Sequence, residues 1–428
     1  MRMSQFIKML SGRKKFLINS TGSSMKPLIL TGDRVRIKKT NYLKLKLNDI
    51  LVIYLKNKIV AHRLIYKTPN FYITKGDNNI KSDGKIFSKQ LIGRVHQLNR
   101  KHNKIELDNL YFFQSSVYFQ EIVKINKLLE KEKAGYVFLK GLPLHLYYEK
   151  SHPRRIYADC DILIDPGDYQ IAGRIMKKQG YSKAESEYSP IHKLLKDKPT
   201  EVSFYKKINN FPVVFDIHLE PVFLMNQIGR LEALYPQKLL DRLTNKFLDE
   251  KRTVRIQNEN LPILSDANLI IYLGLHFFHH NFRGVFRLEL LDRVIRGALQ
   301  NPSPRRNPPL TLRIPSEVYS AMVETVRIYR LQNFVYPVFL MLKKYFKTPL
   351  PREFMLKIKE NTKGKKFIGA ILKTNIFDGE SRIDEGINRF RNIFILSPEP
   401  FVKKVFIFLN PAVLYSVLWI LLRKIRRR

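Results

Sequence analysis

The sequence predicts a multidomain protein: an all-β N-terminal domain, then an α+β domain, with a mainly helical C-terminal half. Three observations carry this reading. Short apolar or alternating runs punctuated by Gly, Asp and Asn fill residues 20–110. From Tyr111 the apolar spacing becomes helical, broken by two strand-like runs. After Leu261 the pattern is helical almost to the end. At 428 residues there is room for two or three domains, placed at 1–110, 111–262 and 263–428. With 44% hydrophobic and 12% aromatic residues the chain can bury cores, which excludes wholesale disorder.

The elements follow in order. Arg34-Val35-Arg36-Ile37, Ile50-Leu51-Val52-Ile53-Tyr54, Ile59-Val60-Ala61-His62 and Phe71-Tyr72-Ile73-Thr74 read as strands. A helix runs from Tyr111 through Ile122, Ile125, Leu128 and Leu129 to a stop at Ala134-Gly135. Next come a strand at 136–139, a Gly turn, a helix, and a second strand at 161–164. The prolines of residues 301–309 forbid helix there. No internal repeat is visible.

Lys and Arg total 77 against 37 Asp and Glu, a net charge of +40, and residues 1–110 carry 24 against 6. Such an excess implies anionic partners: nucleic acid, nucleotide phosphates or anionic lipid. A single cysteine excludes a disulfide framework and a Cys-built zinc site. Residues 1–20 are basic, but Phe16-Leu17-Ile18 is too short for the apolar core of a secretory signal. Residues 405–422 are mostly apolar, flanked by Lys403-Lys404 and by the basic run 423–428, and interrupted by Asn410, Pro411 and Ser416. A transmembrane helix, a helix lying on the membrane and a buried core helix all remain open.

Two constellations carry chemistry. In the first, Thr21-Gly22-Ser23-Ser24-Met25-Lys26-Pro27 puts a serine in a Gly/Ser-rich turn. A hydroxyl is a poor nucleophile until a base takes its proton. His62 and then Asp77 or Asp83 follow as candidate base and orienting acid. Singly these are a loop, a structural histidine and a turn. In this order, Ser24-Met25-Lys26-Pro27, His62-Arg63, Gly76-Asp77-Asn78-Asn79 and Asp83 resemble the core of type I signal peptidases of the endoplasmic-reticulum and archaeal kind. The resemblance covers residues 18–100. It implies a coiled all-β peptidase fold acting on a peptide or precursor protein, with Ser24, His62 and one of Asp77 or Asp83 catalytic. The bacterial enzymes and self-cleaving SOS repressors use Lys where His62 stands. Signal peptidases normally carry a membrane anchor just before the serine, and this sequence shows none there; either the substrate is met on the cytosolic side, or the C-terminal helix is the anchor.

In the second constellation, Phe138-Leu139-Lys140-Gly141 ends a strand and opens a helix, and Asp159 and Asp161 start the next strand. Two residues apart in extended chain, their carboxylates leave one face. With Asp216 from another apolar strand they make an oxygen-rich site suited to Mg²⁺ and a triphosphate. Together, Leu139-Lys140-Gly141, Arg155, Asp159-Cys160-Asp161-Ile162-Leu163-Ile164 and Phe215-Asp216-Ile217-His218 resemble the uncharacterised nucleotidyltransferase family of the polymerase-β superfamily. Leu275-His276, Leu291-Asp292 and Ser397-Pro398-Glu399-Pro400 continue the likeness, which covers residues 112–428. It implies an NTP substrate and Mg²⁺ on Asp159, Asp161 and Asp216, with Lys140, Gly141 and Arg155 toward the triphosphate. Leu142 stands where the commoner turn of that superfamily has a second small residue.

Other features are weaker. His276, His279 and His280 are read as structural, and Cys160 as a small strand residue facing away from its flanking aspartates. Arg283-Gly284-Val285-Phe286-Arg287 could grip RNA, but no nucleic-acid module accompanies it, so RNA ranks last among the expected partners. The whole reads as a bifunctional enzyme; in the alternative, one domain is catalytic and the other binds or regulates. Its expected place is the cytoplasm, peripheral at the inner membrane surface.

Overall fold

A computed structural model describes residues 15–426 apart from 102, 158, 185–189, 192–198, 210, 222, 226–227, 229–230, 298–315 and 363–364. The expected Pro-rich loop at 301–309 lies outside the described residues. The chain forms two compact units. One comprises residues 1–117, 151–157 and 375–379; the other holds 118–150, 158–374 and 380–428. The α/β sheet and the helical half therefore share a unit.

The first unit is mostly β, as its alternating sequence predicts. Its strands are β1 (Lys15–Asn19), β2 (Arg34–Lys38), β3 (Ile50–Leu55), β4 (Lys58–Lys67), β5 (Tyr72–Lys75), β6 (Lys85–Ile86), β7 (Leu91–Arg100) and β8 (Asn103–Glu106). They form one antiparallel sheet in the order β1-β2-β7-β3-β4-β5-β6, with β8 on β7. The sheet buries both faces. Along β3, Ile50 and Val52 join a core with Val35, Val95 and Tyr111, while Leu51 and Ile53 join another with Leu64, Tyr72 and Ile86. Period-2 alternation sends successive side chains to opposite faces, so one apolar run feeds both. The β3–β4 hairpin turns through Lys56 and Asn57, both at positive φ as a tight hairpin of the right twist requires.

Helix α1 (Leu107–Lys131) opens the second constellation's segment. In the second unit come β9 (Tyr136–Lys140), α2 (Leu142–Glu149), β10 (Asp159–Ile164), α3 (Tyr169–Lys178), β11 (Ser182–Lys183), β12 (Glu201–Ile208), β13 (Phe211–His218), α4 (Gln237–Asp249), β14 (Lys251–Ile256) and β15 (Glu259–Leu264). The mixed sheet runs β11-β12-β13-β10-β9-β15-β14, with β10 parallel to β13 and antiparallel to β9. The helical half adds α5 (Asp266–His279), α6 (Val285–Gly297), α7 (Ser316–Ile328), α8 (Gln332–Phe346), α9 (Arg352–Lys359), α10 (Lys365–Leu372), α11 (Arg382–Leu396), α12 (Phe401–Val405) and α13 (Pro411–Arg426). Helix α5 is buried from Ala267 to Leu275 without a break, which its nearly unbroken apolar sequence requires of a central helix.

Candidate active sites

In the first unit the sheet positions the base. His62 lies on β4 opposite Leu51 of β3, and the next strand, β5, brings Thr74 opposite Leu64. Beyond β5 the chain turns through Gly76-Asp77-Asn78-Asn79 and returns so that the Asp83 amide donates to the Thr74 carbonyl at 2.9 Å. The same turn grips the serine loop: the Asn78 amide donates to the Ser24 carbonyl at 2.8 Å. A Cβ on Gly76 would meet that carbonyl oxygen at 2.8 Å, so only glycine allows the approach.

Ser24, His62 and Asp83 are joined by hydrogen bonds. His62 Nε2 lies 2.9 Å from Ser24 Oγ, and His62 Nδ1 lies 2.7 Å from Asp83 Oδ2. An ionised carboxylate only accepts, so Nδ1 carries the proton and Nε2 is left to accept from the serine hydroxyl. Thr74 Oγ1 donates to the same carboxylate oxygen at 2.6 Å and fixes its orientation. His62 is buried, the Asp83 side chain is 9% exposed and Ser24 is partly exposed, so the hydroxyl can be reached from solvent while its partners are largely shielded. Asp77, the other candidate acid, instead takes a bidentate pair from Arg63, Nε to Oδ1 at 2.7 Å and Nη2 to Oδ2 at 2.6 Å. Arg63 also donates to the Asn48 carbonyl at 3.0 Å, so Asp77 ties two loops together rather than orienting His62.

In the second unit strand register builds the site. Asp161 of β10 pairs with Asp216 of β13 on one side and Lys140 of β9 on the other. A bulge beside Asp161 inserts Leu139 into β9 and re-aims the end of that strand. Gly141 then caps α2 at φ 101°, where a Cβ would crowd the Asp159 carbonyl oxygen at 3.0 Å. Carboxylate oxygens of Asp159, Asp161 and Asp216 all lie within 4.8 Å of one another.

The electrostatics of the cluster are uneven. Lys140 Nζ sits 2.6 Å from Asp161 Oδ2 and 3.3 Å from Asp159 Oδ2. Burial opposes the Lys140 charge, yet the two aspartates outweigh it and hold the ammonium above its ordinary pKa. Burial likewise opposes an ionised Asp161, but Lys140 and His218, whose Nε2 is 2.9 Å from Asp161 Oδ1, bring its pKa down to about 2. Asp216 goes the other way: burial and the Asp161 charge push it up to about 6, although Ser203 Oγ donates to it at 2.5 Å. An all-oxygen set with one member forced toward protonation fits a hard divalent cation such as Mg²⁺. Cys160, between the two aspartates, is fully buried, and burial raises its thiol pKa well above normal.

Over this cluster lies a face of α5. Tyr272, His276 and His280 are spaced i, i+4, i+8, with rings 6.2 Å and then 4.7 Å apart. Burial raises the Tyr272 hydroxyl pKa, and the charges of Asp161, Asp159 and Asp216 raise it further. All three α5 histidines are held well below the ordinary imidazole pKa, first by burial, then by cations: Lys140 for His276, Arg389 for His279 and Arg287 for His280. Neutral imidazoles of the helical half thus lie within electrostatic reach of Lys140 from the sheet and of Arg287.

The residues that sequence reasoning passed over were legible in part. His218 follows Asp216 by two on β13, which puts both on one face of the strand. Ser203 is set against Asp216 only by the β12–β13 register. The α5 face lay hidden, because its histidines read as core. Arg155 groups with the first unit, its guanidinium over the Tyr157 ring at 4.4 Å. In the stretch read as an RNA grip, Arg283 is 3.0 Å from Glu380 and Arg287 lies over the Phe286 ring at 4.5 Å.

Residues 109–292 match the family described as uncharacterised nucleotidyltransferase. The match spans all three carboxylates, Lys140, Gly141 and the α5 face, so the chain carries a nucleotidyltransferase-like domain. It begins after the Ser24–His62–Asp83 site. No curated protein matches the chain. Among solved structures the chain is similar to the crystal structure of an antigenic nucleotidyltransferase-like protein from Paracoccidioides brasiliensis, at 13% identity over 56% of this chain and 93% of that one, with a TM-score of 0.27. A likeness that low carries no argument.

Proposed function

We propose that the protein is bifunctional: a serine endopeptidase of signal-peptidase type in the first unit, and a Mg²⁺-dependent nucleotidyltransferase in the second. The observation that supports the peptidase is the hydrogen-bonded chain Ser24–His62–Asp83. As Ser24 Oγ attacks a peptide carbonyl, His62 Nε2 takes its proton, and Asp83 stabilises the imidazolium. His62 then gives that proton to the departing amine, leaving Ser24 acylated; water, deprotonated by His62, releases the acid and restores the serine. The substrate class is a peptide or a precursor protein. Labelling of the full chain by a fluorophosphonate, lost in Ser24→Ala, tests the site without knowledge of that substrate.

For the second unit the reading is supported by the three converging carboxylates. Asp159, Asp161 and Asp216 would hold the metal, which when bound offsets triphosphate charge and lowers the pKa of an attacking hydroxyl. The Gly141 turn admits phosphate close to the backbone at the start of α2. Lys140, seated between Asp159 and Asp161, would offer its charge to the triphosphate once those carboxylates hold a metal. Calorimetry with each NTP, with and without Mg²⁺, tests this; absence of binding in both conditions overturns it. Since NTP is a cytosolic substrate, we place both activities in the cytoplasm. RNA is not part of the reading: no nucleic-acid module accompanies the stretch 283–287, and Arg283 is paired with Glu380 at 3.0 Å.

A further inference from the structure

Eleven of the twenty-three exposed large apolar side chains among the described residues lie between 401 and 422, including Phe401 at 70%, Phe406 at 58%, Leu409 at 68% and Leu418 at 57%. They are carried by α12, the 3₁₀ turn Phe406–Leu409 and α13. Exposed apolar area this concentrated marks an interaction surface.

The segment docks by one face only. Lys404, Ile407, Val413 and Ser416 are buried. Lys404 Nζ donates to the Phe394 carbonyl at 2.8 Å, and the Phe408 ring lies 5.7 Å from that of Phe394 on α11. Asn410 Oδ1 accepts from the Ala412 amide at 3.0 Å and starts α13 afresh, so the two arms meet at a 65° bend. Among the described residues no single helix is long and apolar enough to cross a membrane. The first arm, at nine residues, reaches about 14 Å as helix, and α13, at sixteen residues, about 24 Å, each short of a bilayer's hydrocarbon core of about 30 Å. The outward exposure removes the buried-core alternative, and the bend and the docked face disfavour a span.

Charge selects the occupant. From Phe401 to Arg428 the chain has seven Lys and Arg and no Asp or Glu. A second copy would bring the same charge and repel. We propose that residues 401–426 form a bent interfacial anchor that lies on an anionic lipid surface, its exposed apolar side chains among the acyl chains and the net positive charge of the segment favouring anionic headgroups.

The test is flotation of the full chain with vesicles of phosphatidylcholine carrying about 30% phosphatidylglycerol. The chain should float with these and at least about tenfold less with pure phosphatidylcholine. High salt should release it only partly, because screening weakens the charges but not the buried apolar contacts. The variant Phe406→Ser/Leu409→Ser/Leu418→Ser alters only exposed positions, so it should keep the wild-type circular dichroism and melting temperature while losing flotation. Three results each overturn the proposal: wild type that ignores anionic vesicles, a triple variant that floats equally well, or a lipid-free dimer that the triple variant dissolves.

Discussion

In the proposed peptidase, Ser24, His62 and Asp83 would act as a unit, because an activated hydroxyl is useless without its base and the base is mispointed without its acid. Ser24→Ala and His62→Ala should each abolish peptide cleavage to a similar extent, and the double variant should be no worse than either. Asp83→Asn should lower the rate by roughly ten-thousandfold, since an amide stabilises neither the right tautomer nor the imidazolium. Asp77→Asn should spare cleavage and instead cost about 1–3 kcal/mol of stability, seen as a lower melting temperature, because it removes half of the Arg63 pair. In the second unit the two central aspartates should respond with opposite signs. Metal-free Asp161→Asn strips the partly buried Lys140 and the buried His218 of their counter-charge and should destabilise by about 3–5 kcal/mol. Asp216 has its pKa raised to about 6. Its neutral form is the favoured one, so that contribution is whole below its unfolded pKa of about 3.9 and is lost as pH rises through about 6. Metal-free Asp216→Asn should therefore be more stable than wild type above pH 6, by on the order of 1–3 kcal/mol, with the difference vanishing in acid. Urea titrations at several pH values read both.

At the scale of elements, β9, β10 and β13 set Lys140, Asp161 and Asp216 in one row across the sheet, with Tyr272 and His276 of α5 within electrostatic reach of that row. The sheet contributes the carboxylates and Lys140, and the helical half contributes neutral imidazoles and Arg287. Replacing Arg287 of α6 by Gln should weaken NTP binding by about 10- to 100-fold, the worth of a charge-assisted hydrogen bond, while leaving Mg²⁺ binding to the carboxylates in place. Isothermal calorimetry with NTP and with Mg²⁺ alone separates the two effects. Equal losses of both would mean that Arg287 merely props the fold.

At the scale of the whole molecule the two units have separate cores and separate candidate sites. Mg²⁺ with NTP at a hundred times its dissociation constant should stabilise the unit that binds it by about 2.7 kcal/mol. Differential scanning calorimetry should then show one transition moving up and the other unmoved. Labelling Ser24 should leave the ligand-shifted transition where it was.

Much of this was legible in the amino-acid order. Alternation in β3 and β4, the switch to helical spacing at Tyr111, the Gly141 turn and the Asp159–Asp161 pair are local signals. A strand's period, a positive φ and a shared face follow from a few neighbouring residues. Choices between chemically equal residues were not local. Asp77 and Asp83 sit six apart with the same carboxylate, and the β4–β5 pairing with the return of the chain to Thr74 decides which one meets His62. Histidines at 276 and 280 look like core in sequence, and only the packing of α5 brings them within electrostatic reach of Lys140. The run at 405–422 leaves core, span and surface open, until the bend at Asn410 and the docking of one face on α11 leave the other bare. The chain's own order determined its strands, helices and turns through short-range sterics and periodicity. Register and packing, which depend on residues far apart in sequence, decided which of the candidate groups face one another.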